Sequence, residues 1–262
     1  MEHNNIFEFI KFCNEHLTNT NEYNIARVLI GHFDDIKAIS LESVANEANI
    51  SVASVSRFIN KAGFASFQDF KYKVEVYNKD TKMRRILGHT MRFMRTSMED
   101  MVDNLYGDAI NNLKQTKLNL DFEKIKYIIK RLKNSNSIMI VGDSHELADF
   151  YTFQLDTLVN GIPTYMINVF DLDKVVINNF NQDDTVLYLD IYDDWFTEEK
   201  KKFLNQLREN GIYIIAVAQE EMHLKDIVDL LYIYGIRDSN NDGYYSLPFL
   251  SRIFSEMIYY NL

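Results

Sequence analysis

Residues 51–61, Ser-Val-Ala-Ser-Val-Ser-Arg-Phe-Ile-Asn-Lys, hold the densest set of groups able to do chemistry. Hydroxyls (Ser51, Ser54, Ser56), cations (Arg57, Lys61) and an amide (Asn60) fall at helical spacing, with the small Ala53 between them. The mix contains no nucleophile with a neighbouring base. It suits hydrogen bonding to a large polar surface instead. A helix entering the DNA major groove, about 12 Å wide, needs small residues near its N-terminal end and donors along one side. The amides of its first turn can also meet a phosphate. Arg57 has the donors to fork onto a guanine edge or to hold a phosphate. The plain alternative is a helical hairpin with a polar outer face.

Elsewhere the chain offers little catalytic equipment. Its six His (3, 16, 32, 89, 145 and 223) show no HxxxH or HxH spacing, so no metal site is expected. There is no GxSxG elbow and no phosphate-binding GxxxxGK motif. Asp193 with Glu198 or Glu199 resembles an acid–base pair, but a solvated loop running into a helix N-terminus accounts for them. Lys200-Lys201-Lys202 reads as a solvated helix face. The sequence therefore predicts no catalytic residue, no metal and no cofactor. The lone Cys13 excludes an internal disulfide framework and suits a reducing cytosol.

The elements that would position residues 51–61 are short helices. Ser40 is a good N-cap for a helix over 41–48, with Glu42 in the first turn where the dipole favours an acid. Asn49-Ile50 breaks the pattern. Ser51 opens the next helix, which runs to Ala62 and stops at Gly63. Val44, Ala48, Ile50, Val55 and Ile59 fall on the inward side. Two helices joined this way fit a helix-turn-helix. Further helices are predicted over 6–17, 25–33 and 66–77.

The period changes after residue 137. Apolar runs at 138–141, 163–167, 185–191, 212–218 and 230–234 alternate with helical stretches at 147–159, 172–178, 198–210 and 222–228, and a helix over 248–262 closes the chain. Strands alternating with helices mean βαβ units and a parallel sheet. Both faces of these strands are apolar, as a doubly covered sheet requires. Residues 98–134 read as two helices, the second N-capped by Asp121. The expected organisation is a helical domain over 1–77, a helical linker over 78–120 and an α/β domain over 121–262.

Charge is distributed unevenly. Residues 1–95 carry 13 Lys and Arg against 11 Asp and Glu, whereas residues 96–262 carry 15 against 27, within a chain of net charge −10. An acidic total argues against nucleic acid as a partner, but a near-neutral head with a basic stretch at 82–95 does not repel it. That stretch also carries Met83, Ile86, Leu87, Met91, Phe93 and Met94, which fit a dimer-contacting helix as well as a DNA backbone contact. The longest apolar run is about seven residues, far below the ~20 a bilayer span needs. With no secretory n-region, this predicts a cytoplasmic protein with no membrane partner.

Residues 23–77 resemble the N-terminal domain of RpiR-type bacterial transcriptional regulators. The likeness rests on Ile39 to Ala45, Ile50 to Phe58, Lys61-Ala62-Gly63-Phe64 and Phe67 to Lys71. It implies a homodimer, or a dimer of dimers, that binds operator DNA through Ser51, Ala53, Ser54, Ser56, Arg57, Asn60 and Lys61. In that family the second domain is a sugar isomerase (SIS) domain, a nucleotide-fold-like parallel sheet with a sugar or sugar-phosphate effector. Lys126 to Lys133 leading into Asn136–Gly142 resembles its leading helix and first strand. Asn210-Gly211-Ile212 resembles a later helix–glycine–strand step.

The family's binding loops are altered. Gly-x-Gly-x-Ser-x-x-x-Ala is matched by the shorter Gly142-Asp143-Ser144-His145-Glu146-Leu147-Ala148. Ser-x-Ser-Gly-x-Thr is matched by a stretch running from Asp190 through Tyr192, Asp193 and Asp194 to Thr197. The Thr after the fourth strand is matched by Gln219. At an effective dielectric of ~20, one carboxylate ~4 Å from a phosphate costs about 4 kcal/mol, roughly a thousandfold in affinity. Ordinary phosphosugar binding is therefore expected to be weak or absent. Three alternatives stand: a domain kept for dimerisation, a changed cationic or neutral sugar held by Asp190, Tyr192 or Asp193, or a usual site elsewhere. Ser144 and His145 are further candidate effector contacts. The competing functions are a SIS-type phosphosugar isomerase and a structural dimer that does not bind DNA.

Overall fold

The computed structural model describes residues 5–15, 20–84, 97–169, 171–172, 175–190, 198–219, 224–235 and 245–260. The chain divides into two compact units, Met1–Met94 and Arg95–Leu262.

The first unit is helical. It comprises α1 (Asn5–Glu15), α2 (Thr20–Gly31), α3 (Leu41–Ala48), α4 (Val52–Lys61) and α5 (Phe67–Arg84). Its core gathers Phe9, Leu29, Val44, Val55, Ile59 and Phe70, each buried to within 0% exposure. Phe9 touches the rings of Phe58, Phe64 and Phe70 at centroid distances of 6.4, 6.0 and 5.0 Å. These tilted and edge-on arrangements are the ones ring quadrupoles favour. Burial also pushes the Cys13 thiol up to about 12, so this cysteine is an inert core residue.

The α3–α4 corner follows the expected caps. Ser40 Oγ accepts the Ser43 N–H at 3.0 Å. Asn49 ends α3 with φ +56°, ψ +48°, the left-handed conformation that Asn tolerates better than most residues. The Ile50 N–H then donates to Ala45 O at 2.9 Å.

The second unit opens with α6 (Met98–Leu118) and α7 (Phe122–Lys133). Ser97 and Asp100 form a reciprocal capping box at the start of α6, and Asp121 caps α7. A parallel sheet follows in the order β2-β1-β3-β4-β5, built from β1 (Ile138–Gly142), β2 (Thr164–Asn168), β3 (Thr185–Asp190), β4 (Tyr213–Ala218) and β5 (Leu230–Ile233). Residues 144–149 (α8) and 151–159 (α9) link β1 to β2, α10 (Glu198–Glu209) precedes β4, and α11 (Ser246–Tyr259) closes the unit.

Alternation along the strands serves two cores. Ile138, Ile140, Leu187 and Leu189 face α7, α8, α9 and α11, while Met139, Val141, Val186 and Tyr188 face α10. At the amino end of the sheet, Arg131 of α7 reaches Thr185 Oγ1 and Gln182 O and lies over the Tyr213 ring.

Several expectations change. Residues 78–120 are not one linker: up to Arg84 they extend α5, and 98–118 form α6, which packs on α11 and joins it through a Ser246 Oγ to Asn112 Oδ1 bond of 3.3 Å. The stretch 147–159 is two helices, interrupted at Phe150, whose ring is buried in the core. Of the helix expected over 172–178, a 3-10 turn at Ile177–Asn179 is described, and of that over 222–228, turns at 224–227. α11 begins two residues before Pro248, because proline is tolerated in a first turn.

Candidate functional site

In the first unit, α4 presents a connected polar row. Ser51 is its N-cap, accepting the Ser54 N–H at 3.2 Å. The Ser51 and Ser54 hydroxyls bond to each other at 2.9 Å, and Arg57 Nη2 donates to Ser54 Oγ at 3.1 Å. The guanidinium is thus fixed at one nitrogen, with its remaining donors directed to solvent from an exposed residue. Val55, Phe58 and Ile59 bury the opposite side of the helix.

Each of the seven expected DNA contacts lies on or beside this face. Ser51, Ala53, Arg57, Asn60 and Lys61 are exposed, and Ser54 and Ser56 are half-buried. Two have further duties: Ser51 caps the helix, and Lys61 Nζ donates to Glu22 Oε1 at 2.7 Å while lying 5.6 Å from the Phe12 ring centre. A groove of about 290 Å³ runs between α2 and α4, with Asn21, Glu22 and Ile25 on one wall and Ser54, Arg57 and Lys61 on the other.

In the second unit, the strand order places a topological switch between β1 and β3. Ligands of open parallel sheets bind at the carboxyl ends of the strands at such a point. Ser144 and His145 stand there in the first turn of α8, and Asp190 ends β3. Tyr192 and Asp193 lie outside the described residues.

This edge is already supplied with anions of its own. Glu146 Oε2 accepts the Asp143 N–H at 2.9 Å, and Asp143 Oδ1 accepts the His145 and Glu146 N–H groups at 2.8 Å each. Asn168 Nδ2 donates to Ser144 Oγ at 2.8 Å. Gly142 lets the Glu146 carboxylate lie close, since a Cβ would come within 2.9 Å of Glu146 Oε2 and 3.2 Å of Leu189 Cβ.

The Lys200 side chain overturns the solvated reading of the 200–202 run. It is 5% exposed, and its charge interacts with Asp190, Glu146 and Asp143. Burial pulls its pKa below the ordinary lysine range, and the three carboxylates oppose that shift. Burial likewise raises the Asp149 carboxyl, against the charge of His145. Sequence reasoning missed Glu146, Lys200 and Glu22. The α10 pattern held the signal for Lys200, which lies three and four residues before the buried Phe203 and Leu204 and seven before Leu207.

Together these features define a class: a helix-turn-helix unit followed by an open parallel α/β unit. Residues 4–80 match the helix-turn-helix domain, rpiR family. An uncharacterized HTH-type transcriptional regulator of Clostridium perfringens is 23% identical over 201 residues, covering 76% of this chain and 71% of that protein. The solved Vibrio vulnificus NanR protein, complexed with ManNAc-6P, is similar over 97% of this chain and 91% of its own at 12% identity and a TM-score of 0.52. A phosphoheptose isomerase from Francisella tularensis is similar over 62% of this chain and 98% of its own, at 14% identity and a TM-score of 0.51. These two structural likenesses establish fold. Among the described residues, no helix is long and apolar enough to cross a membrane, and no cluster of His, Cys, Asp and Glu could hold a metal ion.

Proposed function

We propose that this chain is a non-enzymatic, cytoplasmic transcriptional regulator that binds operator DNA through α4. The carrying observation is the exposed Ser51–Ser54–Arg57 row on the second helix of a helix-turn-helix. The hydroxyls hold one guanidinium nitrogen and leave the others for a base edge or phosphate. A second copy of the chain supplies a second α4, so that two half-sites about one helical turn apart, ~34 Å, are read together. Asn60, Ser56 and Ala53 flank the row and shape its fit.

The experiment is a mobility shift on a duplex taken from the region upstream of the chain's own gene. The wild-type complex should survive excess nonspecific competitor. Arg57→Ala should weaken it about 5- to 150-fold, the equivalent of about 1–3 kcal/mol for a forked base contact. Equal binding by the variant would refute this role for α4.

The sheet edge supports a further reading. NanR carries a sugar phosphate in its solved complex. In this chain three carboxylates and one ammonium gather near the carboxyl ends of β1 and β3, and the Asp143, His145 and Glu146 N–H groups that an anion would use already donate to Glu146 and Asp143. The second unit therefore serves assembly of the regulator, and any effector touching Ser144, His145 or Asp190 is neutral or cationic rather than a simple phosphosugar.

A further inference from the structure

Lys61 is the second cation of the reading face, yet it is not presented to solvent as a bare charge. Its ammonium is bonded to Glu22 at 2.7 Å, and Glu22 is the more enclosed partner, with a side chain 17% exposed against 54% for Lys61. Glu22 sits in the first turn of α2, where the helix dipole favours its negative charge. Phe12 lies beneath the lysine. The acid is thus anchored by its own helix, and the lysine is drawn to it across the groove between α2 and α4.

We infer that Glu22 is a specificity-determining residue: it neutralises Lys61 and so suppresses sequence-independent attachment of α4 to the phosphate backbone. Resting on the DNA-reading role of α4, the inference adds a restraint to it. Backbone attachment grows with each cation free to displace condensed counterions, and it carries no sequence information. With Lys61 engaged, Arg57 is left as the one cation of residues 51–61 directed to the duplex, and its geometry is set by Ser54. Discrimination then falls on a group able to read a base edge rather than on two that bind any DNA.

The test measures fluorescence anisotropy of the full chain on a scrambled duplex across a salt series. The proteins are wild type, Glu22→Gln, Lys61→Gln and the double variant. Glu22→Gln frees one cation per chain. Its log affinity against log salt should steepen by about 0.9, which makes scrambled DNA bind about eightfold tighter at 0.1 M salt. Lys61→Gln alone should stay within about twofold of wild type, and the double variant should return to it. A loss of salt dependence in Lys61→Gln alone would show the lysine already on the backbone and overturn the inference. So would an unchanged slope in Glu22→Gln while wild type binds DNA. If neither wild type nor Glu22→Gln binds any duplex, α4 is no DNA reader, and both readings fall together.

Discussion

Replacing Lys200 by Met tests the charge arrangement at the sheet edge. Methionine matches the length of the lysine stem and keeps its packing, but it removes the cation whose charge acts on Asp190, Glu146 and Asp143. Lys200 is 5% exposed, so water cannot take its place cheaply. Removing one partner from a buried charged group costs about 3–5 kcal/mol. For a unit of this size, each kcal/mol moves the melting midpoint by about 2–4 °C, which gives a fall of about 6–20 °C. Circular dichroism and calorimetry of the full chain follow its urea and thermal unfolding.

The same variant has a pH signature. Because burial depresses the Lys200 pKa, the unfolded chain binds this proton more tightly between the folded value and the ordinary 10.5. Stability from this group therefore rises as pH climbs through that window, and it is lowest below it. Wild type should gain stability relative to Lys200→Met between neutral pH and pH ~10. Adding Glu146→Gln to the variant should restore about 1–2 kcal/mol, since neighbouring charges couple. A Lys200→Met protein within about 0.5 kcal/mol of wild type, with the same pH profile, would refute the account.

Besides the Arg57 and Glu22 experiments, two outcomes are expected. Asn49→Gly should leave stability within about 0.5 kcal/mol, whereas Asn49→Val should cost about 1–2 kcal/mol in urea titration, because only the first residue accepts φ +56° without strain. Titration calorimetry with a hexose 6-phosphate in metal-free buffer should show no binding in the micromolar range, and micromolar affinity would contradict the exclusion argued from Asp190, Glu146 and Asp143.

Local signals carried most of the architecture. Ser40, Ser51 and Asp121 cap the helices they were expected to cap, because a cap is a bond within three residues. The strand cores are apolar runs, and runs are visible without knowing what covers them. Long-range electrostatics were not legible. Glu22 and Lys61 are 39 residues apart, and nothing in either neighbourhood announces the other. Lys200 was hidden by Lys201 and Lys202, which share its chemistry but point to solvent. The burial of Glu146 comes with its close approach to Gly142, a contact that residue types alone do not announce.

Asp143, Glu146, Asp190 and Lys200 also constrain how this sequence can drift. Exchanging any one of them alone leaves the others stranded in a poorly hydrated place, so the intermediate is penalised before a compensating change arrives. Descendants can remodel this edge only by concerted replacements, and the quartet should be inherited or abandoned as a block while the surrounding loops diverge freely.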